Sequence, residues 1–154
     1  MAETFNPQPI ELLLVDDNDD DVVLLEESFK DSKLLNLIQV VHDGEEAIAY
    51  LRREGKYHSA RTPGLVLLDI NMPKMNGFEV LQVMKGDPVL RTIPVVILTT
   101  STRDVDIARS YDGGACSFVS KPVSFEKLKE VIKQFTLYWT LVSVVPQTRP
   151  PENV

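Results

Sequence analysis

The feature that most constrains the fold of this chain is a regular alternation between short apolar runs and longer amphipathic segments. The apolar runs have the length of β-strands, and several are rich in Val, Ile and Leu on both faces. This composition is typical of strands that are buried on both sides of a parallel sheet. The runs comprise residues 10–15, 37–41, 65–68, 95–98 and 115–119.

Helix-length segments with a 3.6-residue period lie between these runs. In the first of them, Val22, Leu25 and Phe29 recur three and four residues apart and form one apolar face. Turn-forming pairs such as Asn76-Gly77 separate the units. The other helical segments are residues 45–53, 77–85, 103–112 and 125–140. The alternation predicts an α/β fold in which five helices cover both faces of a doubly wound, five-stranded parallel sheet.

Composition and charge exclude several classes of protein. The 154 residues carry a formal net charge of −7 and contain no cluster of Lys and Arg suited to a nucleic-acid backbone. Residues 137–145 are apolar but too few to span a bilayer, which takes about 20 residues. Residues 1–9 are polar, so we expect no signal peptide there. The single cysteine, Cys116, fits a reducing compartment. We therefore expect a cytoplasmic protein with no nucleic-acid or membrane partner.

Polar residues stand at the carboxyl ends of four of the predicted strands. Asp16 and Asp17 follow the first strand, Asp69 follows the third, Thr99 the fourth and Lys121 the fifth. In a doubly wound sheet, ligands bind outside the carboxyl ends of the strands. The sequence therefore predicts that these side chains converge on one site.

The residue types at this site indicate phosphoryl chemistry. Three neighbouring carboxylates raise one another's pKa values, and a hard divalent cation such as Mg²⁺ relieves their repulsion. Asp69 can then attack a phosphoryl group as a nucleophile and form an acyl phosphate. The cation and Lys121 would stabilise the transferring oxygens, and Thr99 would hydrogen-bond the phosphoryl group after transfer.

The set of motifs resembles the receiver domains of two-component response regulators. The likeness covers residues 9–140, and the residues that carry it are Asp16-Asp17, the segment 67–77 (LLDINMPKMNG) around Asp69, Thr99, and Lys121-Pro122. It implies a flavodoxin-like fold with strand order 2-1-3-4-5. It also implies a single receiver domain over residues 9–140, a tail over 141–154 that is flexible or involved in self-association, and no output domain.

The resemblance further implies roles for individual residues. A histidine kinase would transfer a phosphoryl group to Asp69, and Lys121 would contact that group, with a cis bond between Lys121 and Pro122. Asp17 and Asp69 would bind Mg²⁺ directly together with the backbone carbonyl of Asn71. Asp16 would bind it largely through water.

In such domains a Thr acts as a switch that is coupled to an aromatic residue three positions before the Lys. Here the two positions are Thr99 and Phe118. Phe lacks the hydroxyl of the Tyr that is frequent at this position, so only a packing switch remains. Phe118 is equally well interpreted as a core residue.

Within the family, the sequence is most similar to the small regulators that serve phytochrome-like kinases. Residues 99–106 and the run 137–140 (LYWT) carry this likeness. It implies a phytochrome-like sensor histidine kinase as the partner, and a homodimer formed through the apolar C-terminal extension.

The acidic run after the first strand also has simpler interpretations. Asp21 stands where a calcium-binding loop needs Gly, which argues against an EF-hand site. Asp19, Asp20 and Asp21 are instead predicted to occupy a helix N-terminus, where the macrodipole favours acidic residues. Asn71 occupies the position where phosphatases of the haloacid dehalogenase type need an acid/base Asp. We therefore expect no enzyme activity beyond self-phosphorylation and slow self-dephosphorylation.

Three functions fit these observations. The first is a phosphorylation switch that changes partner binding or self-association. The second is a relay intermediate that passes the phosphoryl group to a phosphotransfer protein. The third is a dimeric scaffold that acts independently of phosphorylation.

Overall fold

Five strands and three α-helices are defined within the described part of the chain. The structure, a computed structural model, describes residues 11–29, 38–100, 109, 112–115, 117–121, 126, 127 and 130. The strands are β1 (Leu12–Val15), β2 (Ile38–Val41), β3 (Leu65–Asp69), β4 (Val95–Thr99) and β5 (Ser117–Ser120). The helices are α1 (Asp19–Phe29), α2 (Gly44–Arg52) and α3 (Gly77–Gly86), and short 3₁₀ turns cover Gly55–Tyr57 and Leu90–Thr92.

The strands form one parallel sheet in the order β2-β1-β3-β4-β5. β1 therefore lies between β2 and β3, and the strand order reverses direction along the chain beside β1. This arrangement confirms the predicted doubly wound sheet and its order 2-1-3-4-5. α1 contains the three residues of the first predicted apolar face, and α2 and α3 begin and end within one residue of the expected bounds.

The apolar runs of the central strands are buried on both faces of the sheet. Leu13, Val66 and Ile97 belong to a core layer shared with α2 and α3. Leu14 and Leu67 point to the opposite layer, which α1 covers. Because neighbouring side chains of a strand face opposite ways, a strand with helices on both sides has no position for an exposed polar residue. Every residue of β1, β3 and β4 is buried.

Strand β2 differs from the central strands because it lies at the edge of the sheet. It pairs only with β1 within the described residues. Gln39 is exposed, Ile38 and Val40 are half-buried, and only Val41 is fully buried. The polar Gln39 is thus explained by the position of the strand at the edge.

The turn pairs that separate the predicted units supply the N-caps of two helices. The side chain of Asp43 accepts a hydrogen bond from the backbone N–H of Glu46 at 2.7 Å at the start of α2. At the start of α3, Asn76 and Glu79 form a reciprocal capping box, with bonds of 2.9 and 3.0 Å. Such side chains satisfy backbone donors that have no partner inside the helix.

Several predictions fall on residues outside the described ranges. Residues 109, 112, 126, 127 and 130 are helical, but the remainder of the fourth and fifth predicted helices lies outside them. So do Cys116, Pro122 and the tail 141–154. Among the helices that the structure does describe, none is long and apolar enough to cross a membrane.

Candidate functional site

The register of the sheet brings the predicted site residues together at the carboxyl ends of the strands. Val15 pairs with Leu68, so Asp16, one residue past the end of β1, lies beside Asp69 at the end of β3. Thr99 at the end of β4 pairs with Ser120. The order of the strands therefore collects side chains that are up to 105 residues apart in sequence.

Three carboxylates meet at this end of the sheet. Asp16, Asp17 and Asp69 each offer an oxygen atom, and these atoms all lie within 4.8 Å of one another. Asp16 and Asp69 are buried, with 2% and 3% of their surface exposed, whereas Asp17 is open to solvent. Burying carboxylates this close together is costly unless cations compensate them.

The ammonium of Lys121 is one such cation. Its Nζ donates hydrogen bonds to Asp16 Oδ2 at 2.9 Å and to Asp21 Oδ2 at 2.8 Å. Asp69 Oδ1 lies 3.3 Å away. Only 8% of the Lys121 side chain is exposed, so these charges interact with little screening by water.

The electrostatics of the pair Asp69 and Lys121 follow from burial and from their neighbours. Burial and the charge of Asp16 raise the pKa of Asp69, whereas Lys121 and the Asn71 N–H lower it, and the net effect is a pKa raised to about 6. Burial alone would lower the pKa of Lys121. The carboxylates of Asp21, Asp16 and Asp69 outweigh burial and raise it above its ordinary value. Lys121 therefore remains an ammonium.

Local backbone turns orient two of the carboxylates. Asp16 Oδ1 accepts a hydrogen bond from the backbone N–H of Asn18 at 3.0 Å. Asp69 Oδ1 accepts one from the backbone N–H of Asn71 at 3.3 Å. Each bond joins a carboxylate to the backbone N–H two residues later. The segment that follows the strand therefore fixes the orientation of the carboxylate.

The donor set fits a hard divalent cation. All three members of the cluster offer carboxylate oxygens, which are the ligands that Mg²⁺ prefers. The Lys121 ammonium pairs with Asp16, Asp69 and Asp21. Asp17 adds a further carboxylate to the cluster, so negative charge remains in excess. The exposure of Asp17 leaves one side of the cluster open to the ion and its water ligands.

The two predicted switch residues lie on neighbouring strands. Thr99 is completely buried at the end of β4, and its carbonyl oxygen accepts a hydrogen bond from the backbone N–H of Lys121 at 2.8 Å. Phe118 in β5 pairs with Ile97 and packs, partly buried, against the core layer shared with α2 and α3. Its packing accords with the interpretation as a core residue.

Asp21 is the site residue that sequence reasoning missed. It lies in the first turn of α1, as predicted for an acidic residue that complements the helix dipole. Its carboxylate also contacts Lys121, 100 residues further along the chain. Its spacing of four residues after Asp17 was the only signal, since this is about one turn of the helix that begins beside the site.

Comparison with known families agrees with this geometry. Residues 12–133 match the response regulator receiver domain. The chain belongs to the response regulator receiver domain family. The doubly wound sheet is accordingly the flavodoxin-like receiver fold, and the resemblance drawn from the strand-end residues is confirmed.

Two curated relatives span nearly the same length as this receiver domain. The probable methanogenesis regulatory protein FilR2 of Methanothrix harundinacea is 42% identical over 132 residues, which cover 85% of this chain and 84% of that protein. The response regulator Rcp1 of Synechocystis is 34% identical over 146 residues, which cover 95% and 99%.

Solved structures of other response regulators have the same fold. The phosphorylated cyanobacterial phytochrome response regulator RcpA is 39% identical, with a TM-score of 0.72 over 90% of this chain and 99% of that one. The bacteriophytochrome response regulator AtBRR is 42% identical, with a TM-score of 0.73 over 84% and 94%. The Mn²⁺-bound form of Rcp1 is 34% identical, with a TM-score of 0.70 over 92% and 99%.

Proposed function

We propose that this receiver domain accepts a phosphoryl group on Asp69 from a histidine kinase, in a reaction that requires Mg²⁺, and thereby changes its binding of a partner or its self-association. One observation carries the proposal. The carboxylate of Asp69 is buried at the carboxyl end of β3, within 4.8 Å of two other carboxylates and 3.3 Å from the ammonium of Lys121.

The transfer forms one bond and breaks one. An oxygen of the Asp69 carboxylate attacks the phosphorus atom of a phosphohistidine, and an acyl phosphate forms. The bond between phosphorus and the imidazole nitrogen of the kinase breaks. The imidazole leaves with the electron pair and takes up a proton from solvent.

The residues around Asp69 act on the charge of the transferring group. Lys121 would move its ammonium from the carboxylates to the phosphoryl oxygens, which carry more charge during transfer. The Thr99 hydroxyl would hydrogen-bond the phosphoryl group afterwards. Asp16, Asp17, Asp69 and the backbone carbonyl of Asn71 would hold Mg²⁺, Asp16 largely through water. The bound ion would neutralise oxygens of the phosphoryl group.

Asn71 favours storage of the phosphoryl group over its rapid release. It stands two residues after the acceptor and is exposed at the site. An amide cannot take a proton from an attacking water as a second carboxylate would. Self-dephosphorylation is therefore slow, and the chain does not turn over an external substrate.

The names of the relatives support one class of phosphodonor. RcpA and AtBRR are phytochrome response regulators, and they match this chain over 84–90% of its length. We therefore propose a phytochrome-like sensor histidine kinase as the partner that supplies the phosphoryl group. A downstream protein or a second copy of the chain would read the phosphorylated state.

Intact mass spectrometry tests the proposal. The full chain is incubated with acetyl phosphate and Mg²⁺, beside an Asp69→Asn variant and a sample in which EDTA removes the cation. We expect a mass gain of one phosphoryl group in the wild type alone. No gain with Mg²⁺ present, in a protein that circular dichroism shows to be folded, would contradict the proposal.

Two further readouts separate the alternative functions. Size-exclusion chromatography of the phosphorylated and unphosphorylated chain tests the switch, since the scaffold predicts the same dimer in both states. Incubation of the phosphorylated chain with histidine phosphotransfer proteins tests the relay, which predicts loss of the phosphoryl group from this chain and its gain by the partner.

A further inference from the structure

Asp21 pairs with the Lys121 ammonium, as Asp16 and Asp69 do, but it lies outside the carboxylate cluster. Its Oδ2 is 2.8 Å from Lys121 Nζ, which is slightly shorter than the 2.9 Å to Asp16 and the 3.3 Å to Asp69. The oxygens that could share a cation come from Asp16, Asp17 and Asp69. Lys121 is thus bound both by the cluster and by a carboxylate that the cluster does not need.

Both ends of this ion pair are fixed by the backbone. The N–H of Lys121 donates to the Thr99 carbonyl at 2.8 Å, which continues the pairing of β4 with β5. The N–H of Asp21 donates to Asn18 Oδ1 at 3.1 Å in the first turn of α1. The side chains therefore connect α1 to the end of β5 from two anchored positions.

We propose that Asp21 is a positioning residue that holds the Lys121 ammonium at the site while Asp16 and Asp69 engage a cation and a phosphoryl group. The inference rests on the proposed function. Asp16 and Asp69 would direct oxygens to Mg²⁺, and Asp69 loses its charge when it forms an acyl phosphate. Asp21 keeps its carboxylate free for Lys121 through every one of these steps.

The ion pair also limits where the ammonium can go. A Lys ammonium has three N–H donors. With one of them on Asp21, Lys121 can turn the others from the cluster toward phosphoryl oxygens without leaving the strand edge. Without Asp21, the flexible Lys121 side chain would lose a fixed partner and sample other positions before each transfer.

Phosphorylation kinetics of an Asp21→Asn variant test this role. Acetyl phosphate serves as the donor, because a small molecule reaches the site without docking of a partner protein. We expect the maximal rate to fall between about threefold and tenfold, as for loss of a partly exposed charge-assisted hydrogen bond. The half-saturating donor concentration should change less than about twofold, since the contact acts through Lys121 during transfer.

Asp20→Asn is the matched control. Asp20 is the preceding residue in the same helical turn, is exposed, and is not among the three carboxylates that pair with Lys121. The substitution removes the same charge from the same helix end. A rate for Asp20→Asn that fell as far as that of Asp21→Asn would overturn the inference in favour of a general charge effect.

A double-mutant cycle identifies the route of the effect. In a Lys121→Met background, Asp21→Asn should cause no further loss of rate, because its partner is already gone. An equal loss in both backgrounds would show that Asp21 does not act through Lys121, and would overturn the inference.

A spectroscopic readout separates the inference from the proposed function. The ¹⁵N–¹H signal of the Lys121 ammonium should be visible in the wild type and in Asp20→Asn, where hydrogen bonds slow its exchange, and lost in Asp21→Asn. An unchanged signal in Asp21→Asn would overturn the inference. If the wild type took up no phosphoryl group, the proposed function would fail together with any effect of Asp21 on transfer. The signal would still decide whether Asp21 holds Lys121.

Discussion

Gly77 lies against the backbone of Asp69, so closely that a Cβ atom on Gly77 would stand 2.5 Å from the carbonyl oxygen of Asp69 and 2.8 Å from the Cα of Ile70. The Gly77 N–H donates to the Ile70 carbonyl at 3.0 Å. The backbone at the start of α3 is thus in close contact with the end of β3, where the candidate acceptor Asp69 lies. The obstructing atoms belong to the backbone, so they cannot rotate away.

We predict that Gly77→Ala lowers the free energy of unfolding by about 2 kcal/mol, as overpacking against fixed atoms does. Gly86→Ala is the control in the same helix, since nothing lies within 4 Å of its added Cβ. That variant should be neutral or stabilised by up to about 1 kcal/mol, because Ala favours helix over Gly. Urea unfolding of both variants measures the difference, and equal stability would contradict the close approach.

The capping box of α3 supports the same junction. Asn76 accepts from the Glu79 N–H at 3.0 Å and Glu79 accepts from the Asn76 N–H at 2.9 Å. Asn76→Ala should cost about 1 kcal/mol of stability in thermal or urea unfolding. Asn76→Asp keeps a side-chain acceptor at the cap and should retain wild-type stability. If Asn76→Asp lost as much stability as Asn76→Ala, the missing cap hydrogen bond would not be the cause of the loss.

Stability should depend on pH through Glu46 and Tyr57. Burial raises the pKa of Glu46, but the N–H of His42, the Tyr57 hydroxyl and Lys56 outweigh it and leave the pKa below its ordinary value. Burial and the Glu46 carboxylate raise the pKa of Tyr57 to about 12. We expect Tyr57→Phe to cost about 1 kcal/mol at neutral pH, where Glu46 is charged and Tyr57 is neutral.

The sign of the dependence follows from each shift. Glu46 binds a proton more weakly in the folded state, so its contribution is lost as pH falls from the ordinary range of a glutamate through the folded pKa. Tyr57 holds its proton more tightly when folded, so its contribution is lost as pH rises from about 10 toward the folded value of about 12. The difference between wild type and Tyr57→Phe should shrink at both ends, and a difference that is constant across pH would contradict the pair.

Cation binding should depend on Asp17 more than on its acidic neighbours in α1. Asp17 belongs to the carboxylate cluster but not to the ion pairs of Lys121. Asp17→Asn should therefore weaken Mg²⁺ binding about tenfold or more and leave the fold intact. Calorimetric titration measures this, with the exposed Asp20→Asn as the control. Equal affinities in the wild type and Asp17→Asn would show that the cluster does not bind the ion.

The fold was predictable where one physical pattern dominates. β1, β3 and β4 are buried on both faces, so they require apolar residues, and the sequence shows continuous apolar runs up to Asp69 and Thr99 at the ends of β3 and β4. The convergence of Asp16 and Asp69 was predictable because the carboxyl ends of parallel strands meet at one end of the sheet. Each of these inferences needs only local sequence and a general rule about sheets.

The contacts that cross between units were not predictable in the same way. Asp21 fits a helix N-terminus on local grounds, and its bond to Lys121 depends on the angle at which α1 leaves the sheet. Gly77 resembles an ordinary turn glycine in sequence, whereas its role depends on the close approach of α3 to β3. Such contacts join residues of different units, and no helix or strand periodicity in the sequence relates their positions.

Chemical trapping of the acyl phosphate tests the central claim most directly. The chain is treated with acetyl phosphate and Mg²⁺ and then reduced with borohydride, which converts an aspartyl phosphate to homoserine, and the peptides are mapped by tandem mass spectrometry. We predict homoserine at position 69 alone, with Asp16, Asp17 and Asp21 unchanged. Homoserine at another of these carboxylates, or an unreduced Asp69 in a chain that has gained a phosphoryl group, would contradict the account.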